Sequence, residues 1–363
     1  MIVGFCNPLL DISVHVTKDF LDKHGLKEND AILTDEHGQA KLLQDLDPNT
    51  LLYSAGGAGQ NAMRASQWLL PNGTVVFMGA VGGLLGVLDG VDGVDNVGSN
   101  TNADGFNVKE LDKHGEILKH AAEGDGLRVE YEIILKKATG TCLCLLTPGH
   151  RSLVACLGAA VGFSPLHIDR HAQLIEKARA VYVSGFLLSD SHDAVDCLFS
   201  KHLVGEKEKL VYMNLSAPFV CQVFRERLEK CLPRVDVLFG NDSEALELAR
   251  SAGFEEQQDI FKIVKELAKY KTMNKRIVVI TRGPGSTLVV DETLTLHEIP
   301  VPLIPKEDIV DCNGAGDAFV GGFIAKHYSG ASILDSVHVG HRVAQMIIRQ
   351  SGIVFPTDER IDL

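Results

Sequence analysis

The sequence predicts an α/β protein with a doubly wound, mostly parallel central sheet and a smaller β unit over one end of that sheet. Short strands alternate with helical segments through the C-terminal two thirds of the 363 residues. These strands are continuously apolar, as expected when helices cover both faces of a sheet. Two other regions contain strands separated by short polar turns rather than by helices, which predicts the smaller unit.

The alternating elements follow one another in a regular order. The strands are predicted at Val181–Ser184, Leu210–Leu215, Val235–Phe239 and Arg276–Thr281. The helices between and beside them are predicted at His192–Val204, Val220–Cys231, Ser243–Arg250 and Gln258–Lys269. Such alternation implies right-handed βαβ units, and ligands of these sheets bind beyond the carboxyl ends of the strands.

The smaller unit is predicted from two separated regions. One contains strands at Ile12–Val16 and Ala31–Thr34, and the other contains a hairpin of Val129–Leu135 with Gly140–Leu146. We therefore assign residues 12–55 and 129–156 to a small β lid. The large unit takes residues 1–11, 56–128 and 157–363.

Residues 83–111 interrupt the large unit and are predicted to form a flexible surface insertion, since they have no helical or strand period. The segment from Asn100 resembles an EF-hand loop, whose twelfth position should be a Glu. That position is Leu111, so no calcium site is predicted.

Composition excludes several classes of protein. Lys and Arg number 35 against 48 Asp and Glu, and the net charge of −13 argues against a general nucleic-acid binder. No apolar run is long enough to span a membrane, and the N-terminus lacks a signal-peptide pattern. Eight cysteines without a CxxC pair predict buried reduced thiols rather than disulfides or a zinc site. We expect a cytoplasmic protein, with the nucleus as a further location.

A glycine-rich turn at residues 54–62 follows a short strand and opens a helix. From Gly57 onward it matches the dinucleotide fingerprint, but the next strand, Thr74–Met78, is not followed by the acidic residue that a cofactor ribose needs. A dehydrogenase is therefore not predicted. The turn reads as a bare tight turn, or as a platform where a polar ligand approaches the backbone beside Asn61.

A second glycine-rich turn, Asp311-Cys312-Asn313-Gly314-Ala315-Gly316-Asp317, precedes the helix predicted at Ala318–His327. Small residues at a helix N-terminus expose backbone N–H groups that bind an anion. Asp317 reads as a cap that stabilises the helix dipole, or as a base beside that anion. An anion nest with an adjacent base suits phosphoryl transfer. The sequence has no Walker A lysine motif.

Two polar segments follow predicted strands. Asn241-Asp242-Ser243-Glu244 reads as a capping box, or as a pair, Asn241 and Glu244, that holds hydrated Mg²⁺ beside a triphosphate. Thr281-Arg282-Gly283-Pro284-Gly285 reads as a loop along a nucleotide, or as a hairpin turn.

The Asp-x-Asn-Gly-Ala-Gly-Asp motif at residues 311–317 resembles the signature of the ribokinase-like (PfkB) carbohydrate kinases, and Gly56-Gly57 with Asn61 resembles that family's N-terminal signature. Further segments resemble the members that phosphorylate adenosine: Asn7–Ile12, Gln60-Asn61 with Gln67-Trp68, Asn214–Phe219 and Phe239–Asn241. The resemblance covers nearly the whole chain apart from the insertion. It implies a three-layer α/β/α sandwich with a mostly parallel sheet and a small discontinuous β lid.

The resemblance implies a kinase that uses Mg²⁺ and transfers the ATP γ-phosphate to the 5′-hydroxyl of adenosine, giving AMP and ADP for purine salvage. The implied catalytic groups are Asp317 as base, Arg151 beside the phosphate, and an anion hole of Gly314, Ala315 and Gly316. The implied substrate-binding residues are Asn7, Leu9, Asp11, Gly56, Gly57, Asn61, Leu153, Phe186 and Asn313, with Leu9, Leu153 and Phe186 as an apolar slot for adenine. The residues implied to contact Mg²⁺–ATP are Asn241, Thr281, Gly283 and, through metal-bound water, Glu244.

The resemblance also implies a monomer whose partners are small molecules, with no nucleic acid or membrane. Ala58-Gly59 departs from the family, which commonly has hydroxyl residues after the two glycines. Two other functions stay open from the sequence: a kinase of the same family for another nucleoside or sugar, and a catalytically silent nucleoside-binding protein. A sugar kinase has no use for the apolar slot, and a silent binder has no use for a base at Asp317.

Overall fold

The computed structural model describes residues 1–28, 30–84, 110–148, 150–205 and 208–356. Most of the predicted insertion, including its EF-hand-like segment, lies outside these residues. The two ends of the insertion are described, and Gly83 pairs with Leu111 in an antiparallel ladder. Over the described ranges, no helix has both the length and the apolar character that crossing a bilayer requires.

The strands of the described residues form a ten-stranded sheet and a five-stranded sheet. In chain order they are β1 Ile2–Phe5, β2 Leu9–His15, β3 Ala31–Leu33, β4 Leu52–Gly56, β5 Val75–Leu84, β6 Glu110–Leu111, β7 Arg128–Leu135, β8 Thr139–Thr147, β9 His150–Gly158, β10 Ala180–Ser184, β11 Leu210–Asn214, β12 Val237–Asn241, β13 Ile277–Arg282, β14 Gly285–Val290 and β15 Leu296–Ile299. The large sheet has the order β15-β14-β13-β12-β11-β10-β1-β5-β6, with β7 also paired to β5. The small sheet has the order β3-β9-β8-β2-β4.

The α-helices of the described residues lie between these strands and after the last of them. In chain order they are α1 Lys18–Lys23, α2 Glu36–Gln44, α3 Ala58–Leu69, α4 Lys113–Gly124, α5 Pro165–Arg170, α6 Ala172–Lys177, α7 Leu187–Asp190, α8 His192–Cys197, α9 Pro218–Val223, α10 Arg225–Cys231, α11 Asp242–Ala252, α12 Ile260–Leu267, α13 Ala315–Tyr328 and α14 Ile333–Ile348. The single helix predicted at Val220–Cys231 is two helices, because the backbone leaves the helical region at Phe224.

The predicted fold class is confirmed: helices cover both faces of a mostly parallel sheet. Strands β5, β1, β10, β11, β12 and β13 pair in parallel. Successive residues of a strand face opposite layers. Val3 and Phe5 pack with the layer that contains α8 to α12, whereas Ile2 packs with α3, α13 and α14. Burial on both faces explains why these strands are continuously apolar.

The predicted hairpin of Val129–Leu135 with Gly140–Leu146 is wrong. Strand β7 pairs in parallel with β5 of the large sheet, from Val76 opposite Arg128 to Gly83 opposite Leu135. Strand β8 instead forms a hairpin with β9. The turn at residues 136–138, where Lys136 has a φ of +63°, carries the chain from one sheet to the other. The division into a large unit and a lid stays a prediction, and this pairing joins residues 129–135 to the large sheet.

The small sheet has one covered face and one face directed toward the large sheet. Ile12, Val14, Leu143 and Leu145 form the covered core with residues of α1 and α2. Side chains alternate along a strand, so Asp11 and Cys142 lie on the opposite face. Because the two sheets face each other, the space between them is the natural position for a ligand.

Candidate active site

A cavity of about 310 Å³ lies between the carboxyl edge of the large sheet and the inner face of the small sheet. The segments after β1, β10 and β11 and the N-termini of α3 and α13 form one wall, and β2, β8 and β9 form the other. This edge is where doubly wound sheets bind ligands. Of the site residues implied by the sequence, those that line the cavity are Asn7, Leu9, Asp11, Gly57, Asn61, Arg151, Leu153, Phe186, Asn313, Gly314, Gly316 and Asp317.

The N-terminus of α13 forms the bottom of the cavity. Gly314 is the N-cap residue, with a φ of +72° in the left-handed region. The N–H of Ala315 donates to the carbonyl oxygen of Cys312 at 3.3 Å. The N–H groups of Gly316 and Asp317 have no acceptor within the helix and can therefore face an anion. The N–H of Asn313 donates to Oδ1 of Asp311 at 2.8 Å, which holds the turn before the helix. The arrangement therefore has the backbone geometry of an anion-binding site.

Two glycines of this turn should respond differently to substitution by alanine. Gly314 has a positive φ, and an added Cβ there would lie 2.1 Å from Cδ1 of Ile353. An added Cβ at Gly316 meets no atom within 4 Å. We expect Gly314→Ala to lower the free energy of unfolding by about 1–3 kcal/mol. Gly316→Ala should change it by less than about 1 kcal/mol, since alanine favours a helix. Urea unfolding of the two variants measures this difference, and equal losses would contradict the strain argument.

Asp317 lies where the α13 turn meets α3. Its carboxyl is half-buried, since one side opens onto the cavity, and its Oδ2 accepts a hydrogen bond from Nδ2 of Asn61 at 3.3 Å. Burial raises the pKa of Asp317 to about 7, and Asp11 also raises it, while Asn61 and Arg151 act to lower it. A carboxyl with this pKa is partly ionised at neutral pH and matches the proton affinity that a general base needs.

Asn61 is held in this orientation by a buried arginine. Arg64 donates from Nη1 to Oδ1 of Asn61 at 3.5 Å and forms an ion pair with Asp125, whose Oδ2 lies 2.6 Å from Nε. Nη2 of Arg64 donates to the carbonyl oxygen of Ile353 at 3.0 Å. Because the Asn61 oxygen faces Arg64, its amide nitrogen is the atom presented to Asp317. The sequence offered no signal for this role of Arg64 beyond its spacing of three residues from Asn61.

Asp11 lies on the small sheet, across the cavity from the large sheet. Burial raises its pKa to about 7, while Arg151 and a hydrogen bond from Asn313 lower it. Nδ2 of Asn313 is 3.5 Å from Oδ2 of Asp11, and Arg151 lies 3.8 Å from Oδ1 of Asp311. These contacts join the small sheet to the turn before α13.

The first glycine turn is shaped by close approach to Asp11. An added Cβ at Gly56 would lie 2.2 Å from the Asp11 carboxylate, and one at Gly57, whose φ is +84°, would lie 2.6 Å from the carbonyl oxygen of Asn7. Packing within the protein therefore accounts for both glycines. Gly57 lines the cavity, whereas Gly56 is not among the described residues that do so. Their contact with a substrate stays a prediction.

The side-chain amide of Asn7 is buried and has no hydrogen-bond partner among the described residues. Only 3% of its surface is exposed, and neither Nδ2 nor Oδ1 makes a hydrogen bond with the described residues. Buried amides are nearly always hydrogen-bonded, because leaving one unpaired costs about 1–3 kcal/mol. Since Asn7 lines the cavity, a polar group of a bound ligand is a natural partner for this amide.

Apolar side chains form another part of the cavity wall. Leu9, Leu153 and Phe186 line it, and the Phe186 ring lies 6.2 Å from the ring of Phe219. Sequence reasoning assigned no role to several other residues of this lining: Ala31, Ile32, Leu33, Leu157, Ser189 and Phe219. The only sign of a role for Phe219 in the sequence was its place in the Asn214–Phe219 segment, which carries the family resemblance. A flat apolar ring fits such a pocket, in which few polar groups set orientation.

A second cavity of about 120 Å³ adjoins the first at the end of β12. Asn241, Glu244 and Thr281 line it, as the sequence led us to expect for a nucleotide. Ser216, Gly316 and Asp317 line both cavities. Gly283, in the turn between β13 and β14, and Ala315 are not among the described residues that line either one.

Asn241 and Glu244 form the capping box that their spacing predicted as one alternative. The N–H of Glu244 donates to Oδ1 of Asn241 at 2.9 Å, and the N–H of Asn241 donates to Oε2 of Glu244 at 3.0 Å. Burial raises the pKa of Glu244 to about 7, and the charges of Asp242 and Asp317 raise it as well. The carboxylate is thus engaged in the cap, with lone pairs still available to a ligand of the second cavity.

The fold and these two adjoining cavities define an α/β enzyme that joins an apolar ligand pocket to an anion-binding helix N-terminus. The model of the pfkB family of carbohydrate kinases matches residues 111–360. The chain belongs to this family, and the predicted family is confirmed.

Individual relatives indicate a narrower class of kinase than the family model does. The chain is 35% identical to "Adenosine kinase 1" of Arabidopsis thaliana over 98% of this chain and 96% of that protein. It is 36% identical to the adenosine kinase of Saccharomyces cerevisiae over 97% and 96% of the two chains. Among solved structures, Anopheles gambiae adenosine kinase in complex with P1,P4-di(adenosine-5) tetraphosphate matches with a TM-score of 0.83 at 36% identity, covering 97% of this chain and 96% of that one. Schistosoma mansoni adenosine kinase in complex with 2-fluoroadenosine matches with a TM-score of 0.83 at 28% identity, covering 98% and 97%.

Proposed function

We propose that this chain is an adenosine kinase that transfers the γ-phosphate of ATP to the 5′-hydroxyl of adenosine, giving AMP and ADP. Relatives of similar length that match nearly the whole chain are named adenosine kinases. The observation that carries the proposal is the position of Asp317, whose carboxyl lines both cavities at the N-terminus of α13. A base at this junction can accept a proton from a hydroxyl in one cavity while a phosphate enters from the other.

The nucleoside occupies the larger cavity. Its adenine ring lies in the apolar slot of Leu9, Leu153 and Phe186, and its ribose lies at the polar end. Two adjacent hydroxyls suit the Asp11 carboxylate as acceptor, because charge-assisted hydrogen bonds are the stronger ones. Asn61 and the unpaired amide of Asn7 supply further partners. Asn313, held beside Asp11, closes this polar end.

Phosphoryl transfer depends on positioning and on charge stabilisation. Asp317 accepts the 5′-hydroxyl proton as the oxygen attacks the γ-phosphorus, and the bond from phosphorus to the ADP oxygen breaks. Backbone N–H groups of residues 314–316 stabilise the charge on the transferred group. Arg151, on strand β9 of the lid, adds a positive charge beside it. Closure of the lid over the substrates excludes water, the competing acceptor.

The second cavity takes the nucleotide, with Asn241 and Thr281 beside it. Mg²⁺ fits this site because Glu244 is a buried carboxyl whose pKa is raised by burial and by neighbouring negative charges. A cation there would relieve the repulsion between these negative charges. Glu244 would hold the metal through water, in keeping with the preference of Mg²⁺ for keeping several waters. When bound, the ion neutralises charge on the phosphate oxygens.

We further propose that the enzyme acts as a monomer in the cytoplasm. The elution volume of the purified chain tests the oligomeric state, and imaging of a fluorescent fusion tests the location.

A coupled assay of ADP release with Mg²⁺–ATP tests the proposed function. The acceptors are adenosine, inosine, ribose and fructose, with 5′-deoxyadenosine as the matched control, since it fills the adenine slot but has no acceptor hydroxyl. We expect turnover with adenosine that exceeds turnover with ribose or fructose at least 100-fold. No turnover is expected with 5′-deoxyadenosine, which should inhibit competitively.

Each other outcome changes a defined part of the proposal. Turnover on a sugar would keep the chemistry of Asp317 and overturn the adenine slot. Turnover on inosine equal to that on adenosine would widen the substrate class to purine nucleosides. Adenosine binding in a calorimeter without any turnover would identify a silent nucleoside-binding protein.

A further inference from the structure

Two cysteines and an aspartate meet on the inner face of the small sheet. The Sγ atoms of Cys142 and Cys144 and a carboxylate oxygen of Asp11 all lie within 4.8 Å of one another. In the parallel register of β2 with β8, Asp11 stands opposite Cys142 and Ser13 stands opposite Cys144. Residues two apart on a strand share a face, so all three side chains point the same way.

These three side chains are buried and yet face the larger cavity. Their exposed fractions are 8% for Asp11, 7% for Cys142 and 1% for Cys144, and all three line the cavity. Cys142 and Cys144 are free thiols. Their place in the cavity wall brings two soft donors and one carboxylate to a space large enough for a small molecule.

We propose that Cys142, Cys144 and Asp11 form a binding site for a soft divalent cation, of the class of Zn²⁺. A cation bound there blocks the binding of a nucleoside in the cavity. Thiolate ligands select soft metals, and three protein ligands with one open position are a common zinc arrangement. Tetrahedral Zn²⁺ holds sulfur ligands about 3.8 Å apart, so rotation about the Cα–Cβ bonds has to draw the donors together by at most about 1 Å.

Binding leaves the site with one net negative charge, because two thiolates and one carboxylate meet a divalent cation. Both thiols lose their protons to the solvent, two thiolates and one carboxylate bind the cation, and the fourth position is left to water. Because the two thiols release protons, binding strengthens as the pH rises. The positive charge of Arg151 repels a cation at this site. The ion pair of Arg151 with Asp311, at 3.8 Å, weakens that repulsion.

Metal binding uses the carboxylate that the proposed function assigns to the ribose. The inhibitory consequence therefore rests on that function, whereas the metal site itself does not. Adenosine and the cation should exclude each other, and linkage requires that each weakens the other by the same factor.

A second cluster, Asp169 with Cys197 and His202, has similar spacing and serves as the control. Its Asp169 already binds Nζ of Lys201 and Nε2 of His202, each at 2.8 Å. It contains one thiol and lies away from the cavity. The Cys197→Ala variant removes this cluster, so we use that variant as the background for all measurements.

The binding test titrates the reduced Cys197→Ala chain with Co²⁺, a spectroscopic substitute for Zn²⁺, and then adds Zn²⁺. We expect thiolate-to-cobalt charge-transfer absorption with one equivalent, and its loss when Zn²⁺ displaces the cobalt. Adding Cys144→Ala should abolish the absorption, and adding Cys312→Ala, at an exposed cysteine of the cavity rim, should leave it unchanged. Absence of the band, or its persistence with Cys144→Ala, would overturn the site.

The competition test measures adenosine binding by equilibrium dialysis without ATP, so that nucleotide cannot bind the metal. Saturating Zn²⁺ should raise the adenosine Kd at least tenfold in the Cys197→Ala background and less than twofold once Cys144→Ala is added. Equal Kd values with and without Zn²⁺ in the background variant would overturn the exclusion. A failure of adenosine to bind at all would instead refute the proposed function, and the cobalt band would still decide the metal site.

Discussion

Asp317→Asn is expected to lower kcat for adenosine phosphorylation by about 10²–10⁴-fold, the usual contribution of a general base. The substitution keeps the size and the polar character of the side chain but removes its ability to take a proton. KM for adenosine should change much less, because Asp11 and the apolar slot are intact. Steady-state kinetics of ADP release with the wild type and the variant give both constants.

Asp335→Asn is the matched control for this prediction. Asp317 and Asp335 both occupy the third position of a helix, after the N-caps Gly314 and Ser332. If Asp317 were only a cap for the helix dipole, both substitutions would cost a similar 0.3–1 kcal/mol of stability and neither would affect kcat. A kcat for Asp317→Asn within threefold of the Asp335→Asn value would refute the role of Asp317 as base.

The raised pKa of Asp317 adds a pH dependence to the same pair of proteins. The base must be ionised, so kcat/KM of the wild type should rise with pH through about 7, the pKa of this carboxyl. The rise should be smaller in the residual activity of Asp317→Asn, where only Asp11 and Glu244, whose pKa values are also about 7, still titrate. Stability should move in the opposite direction. The folded protein holds the proton more tightly than the unfolded chain, so this contribution is present below about pH 4 and is lost as the pH rises to about 7. The Tm of Asp317→Asn relative to that of the wild type should therefore rise between about pH 4 and pH 7 and stay level above that range.

Asp11→Ala is expected to lower kcat/KM for adenosine by about 10²–10⁴-fold, chiefly through KM. A hydrogen bond to a charged group contributes about 1.5–3 kcal/mol, and the proposed contact supplies two of them to the ribose. The protein should stay folded, since burial of this carboxyl raises its pKa and makes its charged form unfavourable. Circular dichroism and steady-state kinetics test both statements.

The substrate provides the control for the Asp11 prediction. The wild type should prefer adenosine over 2′,3′-dideoxyadenosine strongly, because the dideoxy compound lacks the hydroxyls that Asp11 would bind. In Asp11→Ala this preference should fall by most of the same factor, as expected when the protein and the ligand each lose one side of a contact. An unchanged preference would show that the ribose hydroxyls bind elsewhere.

The strand predictions show where local patterns are sufficient and where they fail. Val181–Ser184 and Arg276–Thr281 were predicted within one or two residues of β10 and β13, because a buried strand between helices has a continuous apolar signature. Val129–Leu135 was correctly predicted as a strand but given the wrong partner. Its own pattern of half-buried residues does not identify the strand beside it, and the short turn after Leu135 imitates a hairpin although it joins two sheets.

The sequence by itself determined the order of strands and helices between Val181 and Thr281, the two glycine turns that open α3 and α13, and Asp317 at the start of α13. These features depend on periodicity, capping and turn chemistry, which act between residues a few positions apart. Only the tertiary structure decided that Asn61 meets Asp317 across 256 positions and that Asp11 meets Cys142 and Cys144. Such contacts follow from which strands pair and which helices pack, so no segment of the chain carries them alone.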